Sequence, residues 1–149
     1  MTTTTPPLLN PRVIALAHYA ARAVLEQVLA RHDLTFQQSV TLRLAAVADG
    51  PVERDDIVGG VVDSLKIDAA AARSVVDELI AAELLAVPET AQVRITDAGR
   101  ELYDTTSAAT APITARVYAG IPEADLAVAG RVLTLITERA NAELADLNS

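Results

Sequence analysis

The chain contains no cysteine, a single lysine (Lys66) and only 3% aromatic residues. Without cysteine there is neither a disulfide framework nor a thiolate metal site. With so few aromatics, the 51% apolar fraction comes mainly from Ala, Val and Leu. Such a core is aliphatic and finely divided, which suits helices packed closely together. No apolar run approaches the ~18–20 residues of a membrane span. The opening Met1–Pro7 lacks the basic region of a signal peptide. A cytoplasmic protein with no membrane partner is therefore expected.

Catalytic signatures are missing as well. There is no Gly-x-Ser-x-Gly elbow, no His-Glu-x-x-His, no phosphate-cradling Gly-x-x-x-x-Gly-Lys and no Gly-x-Gly-x-x-Gly. The two histidines, His18 and His32, would lie about 20 Å apart on an ideal helix axis, too far to share a metal. Neither an enzyme, nor a cofactor, nor a metal site is indicated. Positive charge is also short. Twelve Lys and Arg face twenty Asp and Glu, for a formal net charge of −8. That balance does not recruit nucleic acid, because duplex binding draws much of its affinity from neutralised phosphates.

What the chain does have is helical periodicity. At 149 residues it is long enough for one domain with a real core. Met1–Asn10 is rich in threonine and proline and reads as a flexible arm. Pro11 suits a first helical position, and Val13, Ala17, Ala21, Val24, Leu25, Val28 and Leu29 form a stripe up to about His32. Thr35, with Gln38 three residues on, makes a capping box for a second helix. That helix carries Val40, Leu42, Leu44 and Val47 and stops at Asp49-Gly50-Pro51. A third helix is expected over roughly Glu53–Leu65, where Gly59-Gly60 costs about 1–2 kcal/mol relative to alanine.

The chain is organised around the next stretch, Leu65–Leu85. Asp68 is a good N-cap, and Ala72, Val75, Val76, Leu79 and Ile80 recur at helical spacing to form a buried face. The opposite face shows Ala70, Arg73, Ser74, Asp77 and Ala81. Two short β-prone runs follow, Leu84–Val87 and Gln92–Ile95, split by Pro88-Glu89-Thr90-Ala91. A new helix then begins near Asp97. Helix, tight hairpin, helix is the order of a winged helix-turn-helix. The helix after the hairpin should run towards Tyr118 with a bend or break at Ala111-Pro112, since proline removes a backbone hydrogen bond. Pro122 and Glu123 open a last helix. Its Ala129, Leu133, Ile136, Ala140, Leu144 and Leu147 lie close to a heptad seam, as in a helix buried against a partner.

In these residues the chain resembles the MarR-type winged-helix transcription regulators. The resemblance is carried by Leu65-Lys66-Ile67-Asp68, Val75-Val76-Asp77-Glu78-Leu79, Leu84-Leu85 and Val93-Arg94-Ile95-Thr96-Asp97-Ala98-Gly99-Arg100. The closing I-T-D-A-G-R is the most specific piece, because members commonly carry L-T-x-x-G-R there. The order and spacing match from about Pro11 to the C-terminus. The resemblance implies a mainly α fold with a small β-hairpin wing. It implies a winged helix-turn-helix over residues 34–96, with dimerisation helices at 11–33 and 97–147. Its implied partners are double-stranded DNA, a second copy of the chain and a small, largely apolar effector.

Carried onto this sequence, the DNA contacts fall to Arg73, Ser74 and Arg94, helped at phosphates by Lys66 and Arg54. Candidates for an effector pocket are His18, Tyr19, Arg22, Tyr103, Arg116 and Tyr118, each also readable as plain packing or surface. The chain departs from the family at telling places. Ala69, Ala70 and Ala71 stand where Ser, Arg or Thr usually reach the DNA, and methyl groups there offer only a contact to thymine methyls. Glu78 stands where a basic residue is common, Glu83 replaces the usual helix-ending glycine, and the wing lacks its Asp-Arg-Arg stretch. From Val52 to Tyr103, five cations against eleven carboxylates leave −6. A second reading follows: a protein of this fold that has lost DNA binding and serves as a small-molecule or protein-binding module.

Overall fold

The computed structural model describes residues 5–48 and 50–149; the beginning of the expected arm and Asp49 of the expected helix stop lie outside them. The elements run α1 (Pro11–Ala30), α2 (Phe36–Val47), β1 (Val52–Glu53), α3 (Arg54–Leu65), α4 (Ala69–Ala81), β2 (Leu85–Ala86), β3 (Gln92–Ile95), α5 (Asp97–Tyr118) and α6 (Glu123–Leu147). The architecture is mainly helical with a small three-stranded antiparallel sheet, in the order β1-β3-β2. Contacts divide the chain into two compact units that meet at Ala111 and Pro112.

Local chemistry explains where the helices start. Asn10 accepts a 2.9 Å hydrogen bond from the Val13 amide, with Pro11 at the first helical position. At α2 the capping box is complete: the Gln38 amide donates to the Thr35 hydroxyl, and the Thr35 amide donates to the Gln38 side chain. Asp68 accepts from the Ala71 amide at 2.7 Å and starts α4. Thr96 starts α5, its hydroxyl accepting from the Gly99 amide and donating to the Glu83 carbonyl.

The end of α4 shows how the missing glycine is managed. Glu83 itself takes the left-handed conformation, at φ +60°. The Glu83 amide donates to the Ile80 carbonyl and the Leu84 amide to the Leu79 carbonyl. Those two bonds make the helix-ending turn that glycine usually supplies.

The core of the first unit gathers Leu29, Leu42, Val61, Val76, Leu79, Leu85 and Val93, all fully buried. Every described element from α1 to β3 except β1 contributes to that group, and Val52 of β1 packs against it. On α2 the buried face differs from the expected one. It is Thr41, Leu42, Ala45 and Ala46, whereas Val47 is exposed. Thr41 tolerates burial because its hydroxyl donates to the Gln37 carbonyl of the preceding turn. Gly60 has a packing reason: a Cβ there would lie 3.0 Å from Leu44 of α2. β1 adds a third strand to the expected hairpin, pairing Val52 with Val93 and Glu53 with Gln92.

Gly99 is where the I-T-D-A-G-R motif acquires a physical meaning. A Cβ at this buried position would collide with the Leu84 backbone carbonyl and sit 2.8 Å from Ile95 Cγ1. Only glycine lets α5 leave the sheet this close to the end of α4.

A bend or break is expected at Ala111-Pro112; α5 runs through Pro112 as one helix and does not break there. Proline strips the Ala108 carbonyl of its N–H donor, but Ala108 is exposed and water can take the donor's place. In the second unit, α6 is 25 residues long and buries none of them. Helix α1 also differs from expectation. It is 20 residues long and an 18-residue window of it reaches a mean hydropathy of 1.3, which by length and composition is enough to cross a membrane. It carries an exposed Arg22–Glu26 ion pair midway, and its C-terminal Val28 and Leu29 belong to the core.

Candidate nucleic-acid interface

α3, the turn at Lys66–Asp68 and α4 form the helix-turn-helix, with α4 in the place of a recognition helix. Its inner face, Ala72, Val75, Val76 and Leu79, is buried. Its outer face presents Ala70, Arg73, Ser74, Asp77, Glu78 and Ala81, all exposed. All but Glu78 belong to the face read from the spacing, and together they aim one cation, one hydroxyl and two carboxylates outward.

Those carboxylates are held by neighbours. Asp77 accepts from the guanidinium of Arg54, the first residue of α3, which also reaches the Arg73 carbonyl at 3.5 Å. Arg54 is half-buried, with 28% of its side chain exposed against 66% for Asp77. Its charge is thus already matched within the protein. Glu78 accepts a 2.9 Å hydrogen bond from Gln38, whose other amide atom serves the α2 cap. One glutamine therefore ties the start of α2 to the face of α4. Neither link is visible in the sequence, because the partners lie 23 and 40 residues apart.

The remaining sequence-derived contacts lie on other elements. Lys66 is exposed at the end of α3 in a left-handed conformation, φ +58°. Arg94 is exposed on β3, opposite Ala86. It lines an open cleft with Arg100, a residue the sequence reading did not single out. Their six-residue separation across a strand end and a helix start has no periodic signature.

The effector-pocket candidates are shared between the two units. His18 and Tyr19 are exposed neighbours on α1, their rings 6.1 Å apart and tilted by 58°. Arg22 stacks one face of its guanidinium over the Phe36 ring, 4.2 Å from its centre, and its Nε–H edge donates to Glu26. Tyr103 packs against the core of the first unit. Arg116 and Tyr118 are exposed and belong to the second unit. Among the described residues, no three His, Cys, Asp or Glu side chains cluster as metal ligands do.

No family model matches the chain, and no curated protein matches it in sequence. Solved structures do match in shape. CouR of Rhodococcus jostii, solved bound to p-coumaroyl-CoA, is 21% identical with a TM-score of 0.70, over 84% of this chain and 88% of that one. BpsR of Bordetella bronchiseptica, whose DNA binding is regulated by 6-hydroxynicotinic acid, is 24% identical with a TM-score of 0.66, over 88% and 99%. The reduced form of MarR from E. coli is 14% identical with a TM-score of 0.67, over 88% and 95%. With a capped α4 behind its turn, a short wing and a long helix on each flank, the chain has the winged helix-turn-helix fold of the MarR-family transcription regulators.

Proposed function

We propose that the protein is a homodimeric DNA-binding transcription regulator whose DNA-reading element is α4. The observation that carries the reading is the α4 face itself, with Arg73 and Ser74 outward on a helix whose other side is locked into the core. Lys66 and Arg94 add phosphate contacts, while Arg54 serves mainly to hold Asp77. Dimerisation is supported by the exposed apolar stripes of α1 and α6. Monomers seldom leave contiguous apolar surface of that kind in water. Responsiveness to a small, largely apolar effector is supported by the similarity in fold to CouR and BpsR.

Light scattering at micromolar concentration should return twice the chain mass of 15.7 kDa. A gel shift at low salt against DNA flanking the protein's own gene should show a retarded complex. With about three phosphate contacts per subunit, the dimer neutralises ~6 phosphates, for a log–log salt slope near −5. Arg73→Ala should weaken binding about tenfold or more, as loss of a charged base or phosphate contact does. Binding within a factor of about two of wild type would move the anchor elsewhere.

The second reading, a module of this fold without DNA binding, is favoured by one observation. In a region of net charge −6, Asp77 neutralises one of the five cations. Absence of any retarded complex at low salt would put that reading first.

A further inference from the structure

Arg94, to which a DNA phosphate contact is assigned above, shares an open cleft beside the wing with Arg100. With Gly50, Ile95, Thr96 and Asp97 they line an open cleft of about 620 Å³, in the size range of small-ligand sites. Arg94 stands on β3 and Arg100 in the first turn of α5, with the corner at Thr96 between them. That corner is fixed, because the Thr96 hydroxyl uses both its donor and its acceptor on neighbouring backbone. Gly50 lines the cleft at φ +114°, and a Cβ there would meet no atom within 4 Å.

Among the described residues the ion pairs are Arg22–Glu26 and Arg54–Asp77, so neither cleft arginine has a carboxylate partner there. Asp97 lines the same cleft yet pairs with neither. Among the described lining residues, two guanidiniums and one carboxylate give +1, in a protein whose net charge is −8. Each guanidinium presents five N–H donors in a planar fork that fits an oxyanion. A carboxylate's two oxygens are satisfied by one such fork, whereas a phosphate has oxygens left for a second.

We propose that this cleft binds a phosphate group between Arg94 and Arg100. The phosphate belongs either to a free phosphate ester or to a nucleic-acid backbone. The assignment does not rest on α4 reading DNA, since a free ester would fill the cleft of a protein with no duplex partner.

The test follows the arginine Nε–H signals of the full-length protein by NMR, in separate titrations with inorganic phosphate and with a short DNA duplex. The Arg94 and Arg100 signals should shift together and saturate, while that of Arg43, exposed on α2, stays in place. Saturation with inorganic phosphate identifies a free phosphate as sufficient, and a response to duplex alone identifies the backbone as the source. R94Q/R100Q should weaken the binding about tenfold or more through loss of both charge-assisted contacts. No shift at either arginine in both titrations would overturn the proposal. So would a double variant that binds as tightly as wild type. If the duplex fails to bind while phosphate still shifts both signals, the DNA-reading function falls and the cleft stands.

Discussion

Helices α4 and α6 carry equally legible apolar stripes and meet opposite fates. α4 buries Ala72, Val75, Val76 and Leu79 inside its own unit. α6 buries nothing, and Leu133, Ile136 and Leu144 of its seam stay about two-fifths exposed, at 39%, 38% and 40%. α1 lies between the two cases, with Val28 and Leu29 in the core but Leu16, Tyr19 and Val24 outside it. Periodicity thus specifies a face that seeks cover without saying what provides it. For α4 the cover is the same chain. For α6 it is the second copy of the proposed dimer.

The largest expected effect breaks that comparison at α6. The double variant Leu133→Asp/Ile136→Asp should convert a species of twice 15.7 kDa into one of 15.7 kDa by light scattering. Charges cannot be left in a dry seam without partners. If the mass stays unchanged, the seam is ordinary surface and the likeness between the two stripes ends at sequence. Next comes Leu79→Ala on α4, at a side chain that is 0% exposed. Truncation there should lose about 2–5 kcal/mol in urea denaturation, from transfer and cavity terms together. Gly99→Ala should follow at about 1–3 kcal/mol, the usual cost of overpacking. The obstacle is the Leu84 backbone carbonyl rather than a side chain that can swing away.

Much of the fold was legible in the sequence because the signals were local. Thr35 with Gln38 and Asp68 each announce a helix within four residues and form the predicted bond, and Pro11 takes the first helical position expected of it. What escaped was non-local or too short. β1 has two residues and exists only because β3 offers it a free edge. The face of α2 rotated because Thr41 satisfies its own hydroxyl, so a polar residue took a core position. The bend or break expected at Ala111-Pro112 assumed that no partner was available for the orphaned carbonyl, but exposed Ala108 has solvent and the helix does not break. In the candidate interface, the outer face of α4 followed from spacing. The ties of Arg54 to Asp77 and Gln38 to Glu78 needed the packing of three helices. The convergence of Arg94 and Arg100 needed the corner at Thr96.

The smallest effect tests the two helices with one substitution, Glu→Gly, and should change sign between them. Glu83 follows α4 at φ +60°, a conformation that strains any residue with a Cβ by about 1–2 kcal/mol. Glycine removes that strain, and it also removes a carboxylate from a helix C-terminus, where negative charge is unfavourable by about 0.3–1 kcal/mol. Against this, glycine gains freedom in the unfolded chain, which offsets about 0.4–1 kcal/mol. The helix-ending bonds and the Thr96 hydroxyl contact involve only backbone atoms of Glu83 and survive the change. Glu83→Gly should therefore stabilise the protein by about 0.5–1 kcal/mol. Glu138→Gly lies in the interior of α6, where glycine has no such position to fill, and should destabilise by about 1 kcal/mol. Paired urea titrations read both. If Glu83→Gly lowers stability, the Glu83 side chain holds α4 to its surroundings more strongly than its backbone conformation strains it.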